Sequence, residues 1–435
     1  MTPGHFPDPA GLDTEDPAIY ERMRNGALRV VAALFGLTLV LSFRLWVTVR
    51  DYPHTPLWGG LPQPPYPLDY VLLGIALLGL LAVILKPTLR LPVPIVLSIL
   101  LLLALLDQSR WQPYFIHYVV LLWCVFQWDP SDSGSERVRS LEPVRILLAA
   151  TYFYSGIQKF NFDFATWLLP KMLEPAIGQA ALEVSPGVQW SLAAAVALLE
   201  VGAGVGLLLG RRSRRLSAFL LVGMHCAILA LIGPIGHRWN VIVWPWNLTM
   251  ILALGTFFIY RDAFEMGLPV LGASWWKDLR KRLAGSGTRR RAAIASSFVV
   301  LLFAVFPTLC LLDRWDAYLS FSLYTGNIRT FWISVAPGDI HRLPRGAQLA
   351  ADGDGTVNMA RWSRLEMGVD PYPEDRIAHS VAAALAETAR EGPVYLKLIG
   401  KQKGWEGDRP TVYVRYPAGG GDPTMVEEEE FRLSR

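Results

Sequence analysis

Charged residues are scarce in this sequence. They make up 18% of its 435 residues, whereas hydrophobic residues make up 52%. A soluble globular domain usually contains about 25% charged residues. The charges that are present lie in short connectors between long runs that have almost none. Because such runs are long enough to cross a bilayer, the composition excludes an ordinary soluble globule and predicts a protein with several membrane spans.

Cysteine is scarce as well, and the arrangements typical of redox or metal chemistry are missing. Cys124, Cys226 and Cys310 all lie inside apolar runs and form no Cys-x-x-Cys pair, so we expect neither a disulfide framework nor a dithiol centre. The histidines show no His-x-x-x-His or His-Glu-x-x-His spacing, and we expect no metal site. The net charge of +4 comes from arginine clusters in the connectors, which argues against a nucleic-acid partner.

The apolar runs predict an all-α polytopic membrane protein with about nine transmembrane helices. A helix that crosses the hydrocarbon layer needs about 20 mostly apolar residues. The candidate spans are Leu28–Val47, Leu68–Leu85, Leu91–Leu106, Tyr114–Trp128, Ile146–Phe160, Trp190–Gly210, Leu216–Ile232, Val241–Tyr260 and Ala292–Leu312. The lipid bilayer is therefore the first partner that the sequence predicts.

The basic residues predict the orientation of these spans. Alternate connectors are rich in arginine and lysine, and residues 211–215 and 277–291 are the densest clusters. The connectors between them hold little beyond Arg50, Arg110, Lys159, Lys171 and Arg238. Because basic loops stay on the cytoplasmic side, this alternation predicts a cytoplasmic N-terminus and an extracytoplasmic C-terminal domain in the inner (plasma) membrane.

The C-terminal part has the pattern of a small α+β extramembrane domain. Val394–Ile399 and Thr411–Tyr416 have the character of strands, Leu319–Leu323 alternates like a strand, and Pro373–Arg390 has helical spacing. The acidic run Glu427–Glu430 suggests a disordered tail. We expect a cytoplasmic segment at 1–27, a membrane domain at 28–312, the α+β domain at 313–418 and the tail at 419–435.

Polar residues inside the spans are the best pointers to function, because a bilayer makes buried polar groups costly. Tyr152, Ser155 and Lys159 are spaced i, i+3, i+7 and share one helical face. Lys159 is then either a lysine that reaches the outer headgroups or a functional amine in a cavity. Glu200 and His225 lie mid-span and either hydrogen-bond between helices or face a polar cavity.

Further candidates lie towards the outer side of the predicted spans. Asn240, Trp244 and Asn247 share one face of the eighth span, where they line a cavity or satisfy the kink at Pro245. His117 lies near Trp111, which is also typical of an aromatic belt at the membrane interface. We predict Lys159, His225 and Glu200 as catalytic candidates. The predicted substrate-binding group is Tyr152, Ser155, Trp111, His117, Asn240, Trp244 and Asn247.

Three stretches resemble known membrane proteins. Leu106–Pro113, Tyr152–Phe160 and Met224–Cys226 are similar to motifs of the vitamin K-dependent gamma-carboxylases and the bacterial HTTM (horizontally transferred transmembrane) proteins. This resemblance implies that Lys159 is the base that deprotonates a reduced quinone and that His225 belongs to the same site. The Gly-x-x-Lys motif at Gly156–Lys159 is also similar to small four-helix membrane proteins associated with thiosulfate–quinone oxidation.

Two functions are compatible with these patterns. The first is a membrane enzyme that acts on a lipid-soluble, quinone-like substrate with Lys159 as its general base. The second is a non-catalytic transport or assembly protein, in which the polar residues pack helices and the outer domain binds a protein partner. Retention of a lipid-soluble small molecule by the purified protein distinguishes the enzyme from the packing alternative.

Overall fold

The computed structural model describes residues 17–128, 134–178, 183–260, 277, 280–281, 283–285, 287–402 and 407–433. Ten helices of nine or more residues build the described membrane part. They are α1 (Pro17–Leu41), α2 (Leu68–Leu85), α3 (Pro92–Leu106), α4 (Pro113–Gln127), α5 (Gly134–Ile157), α6 (Leu169–Ile177), α7 (Pro186–Gly206), α8 (Arg211–Ile232), α9 (Val243–Leu254) and α10 (Gly287–Val300) among the described residues. A π-helical turn, Phe164–Leu168, precedes α6, and two others, Gly255–Tyr260 and Leu301–Val305, continue α9 and α10.

Five helices in the described part of the chain are long and apolar enough to cross a membrane. They are Ala18–Leu41, Leu68–Leu85, Pro186–Gly206, Arg211–Ile232 and Val243–Tyr260. Each of the nine predicted runs overlaps a helix, but nine spans are not confirmed. The helices α3 and α4 have 15 residues each. At 1.5 Å per residue they are about 22 Å long, shorter than a hydrocarbon layer of about 30 Å.

The C-terminal part combines an antiparallel sheet with several helices. Its strands are β1 (Thr330–Ser334), β2 (Thr356–Val357), β3 (Val394–Ile399), β4 (Thr411–Tyr416) and β5 (Thr424–Val426), in the order β2-β1-β3-β4-β5. Its helices are α11 (Arg345–Ala350), α12 (Met359–Met367), α13 (Asp375–Thr388) and α14 (Glu428–Leu433). Ile333, Leu396 and Val414 lie in one cross-strand row and are buried, as expected where alternate residues face the core.

Two predictions about the C-terminal part are wrong. The described part of the predicted tail 419–435, residues 419–433, is not disordered, since β5 pairs with β4 and Phe431 of α14 is buried against Tyr395 and Tyr413. The acidic run masked this apolar anchor in the sequence pattern. Leu319–Leu323 is not a strand either: Tyr318–Ser320 is a 3-10 turn, and the backbone turns left-handed at Phe321 (φ 55°).

Hydrogen bonds join the sheet domain to the membrane part. The Glu366 carboxylate accepts from the backbone N–H groups of Asp51 and Tyr52 at 2.7 Å each. Arg376 Nε donates to Gln108 Oε1 at 2.6 Å. Glu374 accepts from the Ala317 N–H at 2.8 Å and pairs with Arg329 at 3.0 Å. The Glu366 and Arg376 contacts join the sheet domain to the loop after α1 and to the turn after α3, and the Glu374 contacts lie within residues 313–418.

Candidate functional site

A cavity of about 260 Å³ lies between α5, α6, α7, α8 and α9. Its walls are mainly leucine, isoleucine, valine, methionine and aromatic side chains. The charged side chains among its described lining residues are one cation, Lys159, and one anion, Glu200. A concave, mainly apolar pocket with a few convergent polar groups is the usual form of a small-molecule site.

The Lys159 amine lies just beyond the end of α5 and is buried. Its Nζ donates to Glu200 Oε2 at 2.8 Å and to Ser155 Oγ at 2.6 Å. It also lies 5.8 Å from the centre of the Phe164 ring, within cation–π range. The amine is therefore paired inside the protein and does not reach the headgroups, so the snorkelling alternative does not describe its position.

Two glycines bring Glu200 within reach of this amine. A Cβ at Gly156 of α5 would lie 2.8 Å from the Ala197 carbonyl oxygen of α7, and one at Gly204 of α7 would lie 2.7 Å from Phe153 N of α5. No side chain fits at either position, so the two backbones pack in direct contact. Small residues allow such close approach between membrane helices. The Gly-x-x-Lys spacing therefore sets both the helix contact and the ion pair.

A second polar chain crosses the cavity wall at His225. Tyr152 Oη lies 2.7 Å from His225 Nε2, and His225 Nδ1 lies 2.7 Å from Asn247 Oδ1. The amide nitrogen of Asn247 donates to the Val243 carbonyl at 2.8 Å. The chain thus runs from α5 through α8 to α9, and all three side chains are buried.

The hydrogen bonds of this chain assign the protons. The Val243 carbonyl can only accept, so the Asn247 amide nitrogen must point to it and the amide oxygen must face His225. His225 then carries its proton on Nδ1 and presents a lone pair on Nε2, to which the Tyr152 hydroxyl donates. In this arrangement every polar group of the chain has a hydrogen-bond partner while the imidazole is neutral. This side of the cavity therefore carries no net charge.

His117 lies behind this wall and not on it. Its Nδ1 is 2.8 Å from the Pro113 carbonyl oxygen, and its Nε2 is 2.8 Å from Oγ1 of Thr151, a lining residue. The Trp246 ring packs between the two histidines, with ring centres 5.5 Å from His117 and 6.2 Å from His225. His117 thus supports the cavity wall through its neighbours.

A cap segment from the C-terminal part closes one side of the cavity. We define the cap as residues 320–327, of which Leu323 and Tyr324 line the cavity. Gln158 Nε2 donates to the Ser320 carbonyl at 2.7 Å, and Asn161 Nδ2 donates to the Thr325 carbonyl at 2.8 Å. The sequence pattern missed the cap because its apolar alternation imitates a strand, and no local signal relates it to α5.

The structure brings six of the ten predicted site residues to one cavity. Tyr152, Ser155, Lys159, Glu200, His225 and Asn247 line it. It does not bring the others there: Trp111 Nε1 donates to the Ala104 carbonyl at 2.7 Å, and Trp244 Nε1 donates to the Trp239 carbonyl at 3.0 Å. Asn240 lies in the loop before α9 with a φ of 45°. Within the described residues, no group of three or more metal-ligating side chains is found.

Comparison with known proteins gives one family match. Residues 141–233 match the family model for DoxX, a membrane-associated family. No curated protein and no solved structure matches the chain. The matched stretch contains Gly156, Lys159, Glu200 and His225, so it includes most of the polar residues of the cavity. Together with the long apolar helices, it identifies the chain as an integral membrane protein.

The family match corrects the resemblance drawn from short motifs. No HTTM or carboxylase-like family matches the chain, and the prediction of that relationship is wrong. The three stretches that suggested it are each only a few residues long, and an aromatic, a glycine and a lysine on one helix face can recur in unrelated membrane helices. The role of Lys159 as a quinone base rested on that resemblance. Any chemical role of Lys159 therefore depends on the contacts described above.

Proposed function

We propose that the membrane part binds a lipid-soluble small molecule in this cavity and acts on its polar end with Lys159 and Glu200. The observation that carries the proposal is the burial of an ammonium–carboxylate pair at the edge of a mainly apolar cavity. Taking two charges out of water is expensive, and helices can pack without them. A polar ligand end that hydrogen-bonds to the pair is a reason for its presence.

The geometry supports a particular division of roles within the pair. Lys159 and Glu200 form an ion pair in which Nζ donates to Oε2 at 2.8 Å. Glu200 is then the hydrogen-bond acceptor for the head of a ligand, and Lys159 is the charged donor. For a hydroxyl ligand, the ligand O–H donates to Glu200, and the ligand oxygen accepts from the Lys159 ammonium. Tyr152 and His225 hold the opposite wall in a fixed, neutral arrangement.

We also propose the orientation that the basic residues predict. In this arrangement the chain crosses an inner (plasma) membrane nine times, with residues 1–27 in the cytoplasm. The sheet domain and the cap then lie outside, above the cavity, and the arginine cluster at 211–215 lies inside. The shorter helices α3 and α4 complete their spans with flanking residues. The support for this topology is the alternation of basic connectors along the sequence.

Lipid extraction from the purified full-length chain tests the proposed function. The protein is washed extensively in detergent, and its retained small molecules are identified by mass spectrometry. The wild type should retain one lipid-soluble compound in near-stoichiometric amount. The double variant Lys159→Met with Glu200→Gln should lose it, because both charged contacts are removed while the net charge stays the same.

The surface pair Lys171–Glu174 supplies the matched control. Lys171→Met with Glu174→Gln makes the same two changes on an ion pair that is partly exposed and does not line the cavity, and it should leave retention unchanged. Equal retention by the wild type and both double variants would overturn the assignment of the polar end. Absence of any retained compound from the wild type would favour the packing alternative.

A further inference from the structure

The lining residues of the cavity divide into a buried end and an accessible mouth. The polar end, with Lys159, Glu200 and His225, is buried. The mouth consists of lining residues that are half-buried or exposed, namely Leu173 of α6, Val196 of α7, and Met224, Ala227, Ile228 and Leu231 of α8. Ala227 is the most accessible of them and belongs to the exposed class. The cavity therefore opens between α7 and α8, beneath α6.

The surface around this mouth is apolar. None of the described residues that form it is charged or polar. Both helices belong to those that are long and apolar enough to cross a membrane, and their neighbouring surface exposes Leu192, Leu199 and Leu220. Ala227 lies 16 residues after Arg211, about 24 Å along α8. The mouth thus lies in the half of the bilayer that is remote from the arginine cluster.

The remaining accessible lining residues belong to the cap. Leu323 and Tyr324 are half-buried, and the hydrogen bonds from Gln158 and Asn161 hold the cap backbone on α5 and the turn that follows it. Ligand entry through the cap would require these bonds to break. Entry between α7 and α8 requires only movement of apolar side chains on the surface around the mouth.

The size of the cavity limits what fits inside it. A volume of about 260 Å³ lies below the range of about 300–1,000 Å³ that is usual for small-molecule pockets. The cavity therefore takes the head of an amphiphile with only part of a long chain. A ligand with a long apolar chain must leave the rest of that chain outside, against the apolar surface around the mouth.

The net charge of the cavity limits which ligand head groups can bind there. One ammonium, one carboxylate and a neutral imidazole sum to zero. An anionic head would be left unbalanced beside Glu200, and a buried, unpaired charge is costly. An uncharged hydroxyl or carbonyl can hydrogen-bond to the pair without that cost.

We infer that the site takes an uncharged long-chain amphiphile, with a hydroxyl or carbonyl head, directly from the bilayer through the mouth between α7 and α8. The head lies at Lys159 and Glu200, and the chain stays in the lipid. This inference rests on the proposed function, because it uses the same polar end, and it adds the ligand class and the route.

Photolabelling of the full-length chain in phosphatidylcholine nanodiscs tests this inference. The probe is hexadecanol with a diazirine close to its hydroxyl, and the labelled residues are read by mass spectrometry. Wild-type protein should be labelled around Lys159. Ala227→Trp should reduce labelling by about tenfold because the indole fills the mouth. Ala230→Trp places the same side chain on an exposed site of α8 that does not line the cavity, and it should label like the wild type.

Further variants and a second probe distinguish failure of the entry route from failure of the proposed function. Ala227→Leu, a milder change, should give an intermediate reduction, which guards against misfolding of the Trp variant. Hexadecyl phosphate should not label the site, and labelling equal to that by hexadecanol overturns the uncharged head. If Ala227→Trp and Ala227→Leu both label like the wild type while Lys159→Met with Glu200→Gln does not label, the lateral route fails and the proposed function stands. If the double variant also labels like the wild type, the proposed function itself fails.

Discussion

The surroundings of Lys159 show which contacts of a single residue can be predicted from the spacing of residues along a helix. Spacing predicted that Tyr152, Ser155 and Lys159 share a face, and the three side chains do line one cavity. Spacing could not predict that Glu200, 41 residues away, supplies the counter-ion. Neighbouring helices contact each other through tertiary packing, and no local pattern encodes which mid-span acid meets which mid-span base.

Replacing one member of the Lys159–Glu200 pair should destabilise the protein more than replacing both members together. Lys159→Met leaves a buried carboxylate without its cation, and Glu200→Gln leaves a buried ammonium without its anion. Each single variant should lose about 3 kcal/mol of stability, the usual scale for a broken buried pair. The double variant should lose less than the sum of the two, because no uncompensated charge remains.

Thermal unfolding of the four proteins in one detergent measures this coupling. Additive losses in the double variant would show that the two charges do not interact across the 2.8 Å contact. The pair Lys171→Met and Glu174→Gln should show almost no coupling in the same experiment, since an exposed ion pair contributes little.

Trp111 and Trp244 were predicted to bind substrate, but neither lines the cavity. Trp111 and Trp244 each donate an indole N–H to a backbone carbonyl near a helix end. An indole near the membrane interface has many such carbonyls within reach. Sequence proximity to a candidate histidine or asparagine does not distinguish a ligand contact from this common use.

At the scale of elements, the α5–α7 contact decides the geometry of the site. The glycines of this contact are visible in the sequence, but only the structure shows that Gly156 and Gly204 face the other helix while Gly202 does not. The helix α6 and the cap were not predicted. A nine-residue helix with two prolines lacks the length of a span, and the cap is defined by long-range hydrogen bonds.

Alanine at Gly156 should push the two helices apart. Its Cβ would lie within 3 Å of Ala197, Val201 and Glu200 atoms, so we expect a loss of about 1–3 kcal/mol from overpacking. Gly202→Ala on α7 is the matched control, because nothing lies within 4 Å of the added Cβ. That variant should be neutral or gain up to about 1 kcal/mol from helix propensity. Equal unfolding midpoints for the two variants would contradict the close helix contact.

At the scale of the whole molecule, the division into apolar helices and a C-terminal sheet domain was predictable because both depend on periodic burial. The number of spans was not, since α3 and α4 are short and α5 carries charges in its first half. The end of the sheet domain was missed because a single phenylalanine, Phe431, anchors an otherwise acidic segment.

The junction between the sheet domain and the helices should respond to pH. Burial, together with the nearby Asp316 carboxylate, raises the pKa of Glu374 from 4.5 to about 7, although Arg329 and Arg376 oppose the shift. A carboxyl with a raised pKa binds its proton more tightly in the folded state. Its contribution to stability is therefore present at low pH and is lost as the pH rises from about 5 through about 7.

Comparison of the wild type with Glu374→Gln isolates this effect. A shift of this size corresponds to about 3 kcal/mol. Raising the pH from 5 to 8 should therefore destabilise the wild type relative to Glu374→Gln. Glu387→Gln, at an exposed position of α13, is the control and should follow the wild type. Parallel pH profiles of unfolding for all three proteins would show that Glu374 stays ionised throughout.

Reporter fusions test the proposed topology of the whole chain. A fusion after Pro234 or at Arg435 should report an external location, and a fusion after Arg215 should report a cytoplasmic one. An even number of spans places the C-terminal fusion in the cytoplasm, so that result would contradict the nine-span arrangement. The Arg215 fusion serves as the internal reference, because it follows the densest basic connector among residues 17–260.

A high-resolution density map of the full-length chain in native membrane lipid is the most direct test of the cavity as a ligand site. We expect elongated density whose polar end lies within about 3.5 Å of Lys159 Nζ, which is hydrogen-bond range, and whose chain leaves between α7 and α8. An ordered Lys159–Glu200 pair, surrounded by side chains that fill the 260 Å³ space, would contradict a ligand site and would leave the pair as a packing element alone.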